Sequence, residues 1–326
     1  MDNLTHSLVG AVLGQAGLKR KTGLAMPALI IGANLPDVDV GCFFWLHGTE
    51  HLAFRRGITH GPPALVLLPL VLAGLLWGWD RWQTKRGTRP EGRLPVHFGR
   101  LYAMAFVGCL SHPFFDWLNV YGIRLLEPFS SQWFYGDTLF IVDPWLWTLL
   151  IASLWWSLRR EKAGAEWARA GQVGVVAALA YVGLNAAISG GKLARDDDVT
   201  GRTVIASPVP LAFWNREMIL GSRGHYAIVD PAIEGRDPAT VSPAEEAALI
   251  AELGDCALEP AIRGAQGNSQ AEAFLFWSRA PFLTRAPDGS VVLRDARFTD
   301  PRVVDRFSLA LPDVRCEPLG EEHPKP

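Results

Sequence analysis

Long apolar runs, all in the first part of the chain, constrain its fold most. Residues 63–79, 101–120, 140–158 and 173–188 carry few charges, and each approaches the length an α-helix needs to cross a hydrocarbon core. No comparable run follows about Asp196. The chain therefore reads as an α-helical membrane domain, residues 1–190, followed by a smaller α+β soluble domain, residues 191–326. Two shorter runs, residues 4–18 and 24–35, come first. At about 1.5 Å per residue each is short for a crossing, so together they read as a hairpin dipping into the bilayer. The membrane domain is then a helical bundle with a short N-terminal hairpin that turns at Lys19-Arg20-Lys21. That basic cluster follows the first apolar run, whereas in a signal peptide it would precede it.

Charge asymmetry orients the spans. The loop of residues 80–100 holds Arg81, Lys85, Arg86, Arg89, Arg93 and Arg100, and the stretch after Leu158 holds Arg159, Arg160, Lys162 and Arg169. Short loops rich in Lys and Arg stay cytoplasmic. The expected protein is thus multi-pass, with an extracytoplasmic C-terminal domain. The basic residues are spent on topology and the net charge is −2, so nothing points to nucleic acid.

This orientation has a consequence the charge rule does not require. His6, Asp37, Asp39, His51, His60, His112, Asp116, Asp137 and Asp143 all fall near the outer face. Ionisable groups at a membrane boundary are costly to desolvate, and they persist where they pair, bind metal or do chemistry. His112 and Asp116 are four apart, on one face of a helix. Asp37 and Asp39 repel each other unless a cation or proton intervenes. A mixed His and Asp set suits a divalent metal, zinc first, with manganese or magnesium as alternatives. Such a site activates water for attack on an ester or phosphoester, lipid-linked in this setting.

The expected metal ligands are His6, Asp37, Asp39, His60, His112, Asp116 and Asp137, and Asp39, Asp116 and Asp143 are the carboxylates read for catalysis. Arg55 and Arg56 are read as a phosphate-binding pair, with membrane lipid as partner. Each motif also has a plainer reading. His112 and Asp116 could bond each other within a bundle, Asp143 before Pro144 could cap a helix, and either arginine could anchor to headgroups.

The ordered set resembles the membrane-bound metal-dependent hydrolases of the YdjM or DUF457 group. The matching strings are Met1-Asp2-Asn3-Leu4-Thr5-His6 with Gly10, Leu35-Pro36-Asp37-Val38-Asp39, Arg56-Gly57-Ile58-Thr59-His60 and Ser111-His112 with Asp116. They continue through Gly122, Pro128-Phe129-Ser130 and Asp137 to Ile141-Val142-Asp143-Pro144, so the resemblance covers roughly residues 1–190. It implies a protein of the bacterial inner membrane, with a polar site formed by His6, Asp37, Asp39, His60, His112, Asp116, Asp137 and Asp143. The group often carries His before the Arg-Gly pair. Arg55 stands there in this chain, which replaces one candidate ligand by a cation.

Two other classes compete with a hydrolase. A membrane-anchored binding or assembly protein would use the His/Asp cluster structurally. A transporter would line a route across the bilayer, whereas these polar groups gather on one side, with no internal repeat. In the C-terminal domain, residues 202–205, 226–229, 273–277, 290–293 and 306–309 read as strands, and Pro287-Asp288-Gly289 as a turn. Ser242-Pro243-Ala244-Glu245 reads as a capping box opening a helix to about Leu253, and residues 321–326 as a frayed tail. Cys256 and Cys316 could pair if the domain lies outside the cytoplasm.

Overall fold

The computed structural model describes residues 1–193, 203–222, 224–229 and 250–317. The chain divides into two compact units. The first comprises Met1–Val40, Arg56–Ile188 and Pro210–Phe213, and the second Gly41–Arg55, Ser189–Val209 and Trp214–Pro326.

The first unit is helical: α1 (Asn3–Gln15), α2 (Ala25–Gly32), α4 (Pro62–Lys85), α5 (Phe98–Trp117), α6 (Pro144–Lys162) and α7 (Ala168–Leu193). Local chemistry sets several of the starts. Asp2 caps α1 by accepting from the Leu4 and Thr5 amides, both at 3.0 Å. Pro62 opens α4, where the lost amide costs nothing. Helix α2 sits against both α1 and α5 at close range, because Gly10 of α1 and Gly108 of α5 both face the Leu29 carbonyl. A Cβ at either would overlap that oxygen. This close approach brings the ends of α1, α2 and α5 together where the polar residues lie.

Among the described residues, two helices are long and apolar enough to cross a membrane, Pro62–Lys85 and Ala168–Gly191. A third crossing is available if α2 and the 3-10 segment Leu35–Phe44, bent by 48° from it, act as one broken span. Val66, Leu67, Val71 and Leu75 on α4, and Val173 and Val176 on α7, are exposed, as a lipid-facing surface requires. Helices α5 and α6, expected as spans, form at those positions but lie outside this group. Arg100, His112 and Asp116 make α5 more polar, and Arg159, Arg160 and Lys162 do the same for α6. At one end of the unit Lys19 pairs with Glu161 at 2.5 Å, and Lys19 and Arg20 both lie over the Trp167 ring. The basic hairpin turn and the basic end of α6 therefore share one end of the bundle.

The second unit is α+β. A four-stranded sheet runs in the order β1 (Thr203–Val209), β2 (Ala212–Ser222), β3 (His225–Val229), β4 (Ile250–Leu253), and a three-stranded sheet in the order β5 (Pro281–Arg285), β6 (Val291–Asp295), β7 (Ser308–Leu311). The β2–β3, β3–β4, β5–β6 and β6–β7 pairs are antiparallel. The expected turn at Pro287-Asp288-Gly289 joins β5 to β6, with Gly289 at φ 85°. Ile205, Ile219, Tyr226, Phe282 and Ala296 form the core. Cys256 and Cys316 form a disulfide. Helix α3 (Glu50–Phe54) belongs to this unit. Thr49 Oγ1 donates to the Gln270 carbonyl at 2.8 Å, and Ser269 Oγ donates to Glu50 Oε1 at 2.5 Å.

Three expectations change. Residues 273–277 are not a strand but the end of α9 (Ser269–Trp277), which follows α8 (Leu258–Gly264). Asn268 caps α9 by accepting from the Gln270 and Ala271 amides, and Ala271, Phe274 and Trp277 recur at three-residue spacing on its buried side. The helix expected to reach Leu253 gives way to β4 over residues 250–253, because that segment pairs with β3. Its proposed start at Ser242 and the tail at 321–326 lie outside the described residues. Strand β2 was not anticipated.

Candidate metal centre

His112 and Asp116 lie one turn apart on α5, both fully buried. The 3-10 segment after α2 carries Asp37 and Asp39, and the short turn Ile58–His60 delivers His60. Asp37, His60, His112 and Asp116 each offer one donor atom, and these atoms all lie within 4.8 Å of one another. His60 Nε2 and His112 Nε2 lie 3.5 and 3.4 Å from Asp116 Oδ2. His112 Nε2 is 3.8 Å from Asp37 Oδ1.

The tautomer of His112 follows from its other nitrogen. Nδ1 is 2.7 Å from the Ala33 carbonyl, which only accepts, so Nδ1 carries the hydrogen. In the neutral ring Nε2 is then a lone pair facing two carboxylates, an arrangement that is repulsive until a cation or proton sits between them. Neither His60 Nε2 nor His112 Nε2 has a hydrogen-bond partner. Burial pushes the His60 imidazole below its ordinary pKa, against the pull of Asp116 and Asp39, and so favours the neutral, ligating form. Two imidazole nitrogens and two carboxylates, buried and converging, are the donor chemistry of a divalent cation such as zinc.

The remaining sequence candidates surround this group. His6 Nε2 lies 3.3 Å from Asp116 Oδ1, and its ring stacks on His112 with centroids 3.8 Å apart. Asp39 Oδ2 accepts from the Arg56 amide at 2.8 Å and lies 3.7 Å from His60 Nδ1, so it braces the loop that carries His60. Arg56 is buried and left-handed at φ 56°. Its Nε is 3.0 Å from Asp116 Oδ2, and its Nη1 donates to Asn119 Oδ1 and the Gly122 carbonyl. These contacts, through Nε and Nη1, make Arg56 a brace for Asp116. Arg55 falls in the second unit, 6.0 Å from the Phe43 ring. Asp137 is buried in the loop after α5, outside the group of four. Asp143 caps α6 through the Trp145 and Leu146 amides and accepts from Tyr181 Oη at 2.8 Å.

The sequence reading missed three groups. Asn119 is fully buried, accepts from Arg56, and could have been noticed as a polar residue three positions beyond Asp116. The Ala33 carbonyl and the Met1 ammonium, which pairs with Asp116 Oδ1, are backbone groups without a sequence signal.

The model of the YdjM inner membrane protein family matches residues 1–191. The chain belongs to the YdjM family. The matched region contains every residue of the candidate centre, and the second unit's sheets lie beyond it. No curated protein and no solved structure matches the chain.

Proposed function

We propose that the chain is a metal-dependent hydrolase of the bacterial inner membrane that cleaves an ester or phosphoester. The observation that carries this reading is the convergence of two imidazole nitrogens without hydrogen-bond partners with Asp37 and Asp116 in one buried cluster of a membrane-family chain. Asp37, His60, His112 and Asp116 would hold the ion, zinc by preference. The chemistry such an ion supplies is Lewis-acid activation of water and of the scissile oxygen. The protein's own groups do the rest. Ala33 fixes the His112 ring, Arg56 holds the Asp116 carboxylate, and His6 backs His112. Asp39 is the carboxylate beside the four that is not among them, and it is assigned the proton.

The protein is read as multi-pass, with the centre at the outer face and the C-terminal unit extracytoplasmic. Two observations support this orientation. Basic residues of the hairpin turn and of α6 meet at one end of the helical unit, the end that short Lys/Arg-rich loops keep cytoplasmic. The Cys256–Cys316 disulfide in the second unit suits an oxidising compartment.

A second reading is favoured by one observation. His6, His60, His112 and Asp116 are wholly buried, and a closed site is characteristic of structural metals. On that reading the chain is a membrane-anchored binding or assembly protein. Metal content of the purified full-length protein, wild type beside His112→Ala and Asp116→Ala, tests the shared premise. Bound metal lost in both variants is expected, and a wild type that stays metal-free after loading overturns both readings of the centre. Hydrolysis of phosphoester and lipid substrates by the loaded wild type, absent in both variants, then separates enzyme from structural site.

A further inference from the structure

The helical unit contains an apolar cavity of about 220 Å³. Its walls come from four helices and include Val9 and Leu13 of α1, Ser111 and Phe115 of α5, Leu150 of α6 and Ala178 of α7. Ser111 is the one hydroxyl in the wall, and it is turned back to the Gly108 carbonyl of its own helix at 2.6 Å. The cavity thus offers a ligand no free hydrogen-bond donor. Its lining is otherwise apolar, and exposed Phe114 and Leu179 leave it open on one side, so hydrocarbon suits it better than water.

Its position relative to the polar centre matters more than its size. Ser111 and Phe115 each immediately precede a centre residue, His112 and Asp116. On α1, Val9 and Leu13 lie about 4.5 and 10 Å along the axis from His6 at 1.5 Å per residue. The cavity therefore begins beside the centre and runs along the helices away from it, toward the middle of α7, a candidate span. A buried polar cluster at one level and a hydrocarbon-sized cavity at the next suit a single amphiphile.

We propose that this cavity holds the hydrocarbon chain of a membrane lipid whose phosphate head reaches the His60–His112–Asp116 centre. The head assignment rests on the metal-centre reading above, and the chain assignment stands on the cavity itself. The substrate class would accordingly be a phospholipid or other long-chain phosphoester, drawn from the bilayer.

The test uses full-length protein in phosphatidylcholine nanodiscs doped with phosphatidic acid that carries a nitroxide near the end of one acyl chain. Electron paramagnetic resonance reads the immobilised fraction. Wild type should immobilise labelled phosphatidic acid above the annular background, and above diacylglycerol that carries the same label but no phosphate. Ala178→Phe and Val175→Phe, which fill the cavity from α7, should return the signal to background while metal content, read on the same samples, stays at the wild-type level. Full immobilisation in both filled variants would overturn the chain assignment. Equal immobilisation of the two labelled lipids would overturn the head assignment. A wild type that immobilises the chain in an Ala178-dependent way but binds no metal would keep the cavity assignment and remove the hydrolase reading.

Discussion

Arg56 Nε lies 3.0 Å from Asp116 Oδ2, and the same guanidinium is held by Asn119 Oδ1 at 3.0 Å and the Gly122 carbonyl at 3.2 Å. An arginine beside a predicted metal ligand first suggests a substrate anchor, and here Nε and Nη1 of its fork are engaged by the protein. Its main chain is fixed as well. The Arg56 amide donates to Asp39, and the Arg56 carbonyl accepts from the Arg124 amide at 2.9 Å. Removing one partner of a buried ion pair leaves the other charge uncompensated, at a cost of about 3–5 kcal/mol. Arg56→Ala should therefore lower the thermal unfolding midpoint of the detergent-solubilised protein sharply. Arg56→Lys should recover only part of the loss, because an ammonium cannot reproduce the planar fork. A melting curve for Arg56→Ala that overlays the wild type would contradict the bracing role.

The orientation of His112 gives a finer prediction about the metal. The Ala33 carbonyl fixes Nδ1 as donor and leaves Nε2 as the lone pair that would ligate on the proposed reading. His112→Gln keeps a hydrogen-bonding side chain but loses the imidazole lone pair, so zinc affinity should fall by at least about tenfold, the scale on which even outer supporting groups act. Competition with a chromogenic chelator measures it. Affinity equal to wild type would exclude His112 from the ligand set.

Much of this centre is legible in the sequence for one physical reason. Asp37, His60, His112 and Asp116 sit in or beside apolar runs, where an idle charge would be too costly to keep. What is not legible depends on tertiary approach. Ala33 orients His112 only because α2 and α5 pack closely through Gly108. Arg56 reads beside Arg55 as a phosphate or headgroup contact, and its burial is decided by Asn119 and Gly122, more than sixty residues away. The same holds for the second unit. The run at 273–277 is apolar and aromatic enough for a strand, and the Asn268 cap together with the three-residue burial pattern makes it a helix. Strand β2 mixes Trp214, Asn215, Arg216 and Glu217, so it shows no clean alternation from which to read it.

Asp143 separates structure from chemistry. One of its oxygens caps α6, accepting from Trp145 and Leu146, and the other accepts from Tyr181. Loss of such a cap costs about 1 kcal/mol. Asp143→Ala should thus lower stability modestly and leave bound metal at the wild-type ratio. A double-mutant cycle with Tyr181→Phe should show coupling between the two residues. Loss of metal in Asp143→Ala would instead place the carboxylate in the centre.

The Cys256–Cys316 bridge closes a loop with a sequence separation of 60 residues. Closing a loop of that length removes unfolded-chain entropy worth about 4 kcal/mol. Reduction, or Cys256→Ser, should lower the stability of the second unit by an amount of that order while the metal content of the first stays constant. Limited proteolysis under reducing and non-reducing conditions reads the difference. Unchanged protease resistance after complete reduction would remove the bridge from the list of stabilising features.

Asp295 makes the second unit acid-sensitive in a defined direction. Burial alone would raise its pKa. The Arg297 charge and hydrogen bonds from Arg297 and Ser278 outweigh burial and hold the carboxyl below its usual 3.8. Arg297 donates from Nε at 2.7 Å and from Nη2 at 2.8 Å, and its guanidinium also lies 4.9 Å from the Trp277 ring centre, tying the pair to the Trp277–Phe298–Phe307 stack. A carboxyl whose folded pKa is depressed stabilises the fold fully above its unfolded pKa, and that contribution disappears as pH falls through the folded value. Wild type should therefore be more stable than Asp295→Asn at neutral pH, and the gap should close as pH drops below about 4, the ordinary value for this group. Chemical unfolding of both proteins across that range measures the gap. A gap that stays constant into strong acid would mean that the variant loses packing and not the ion pair.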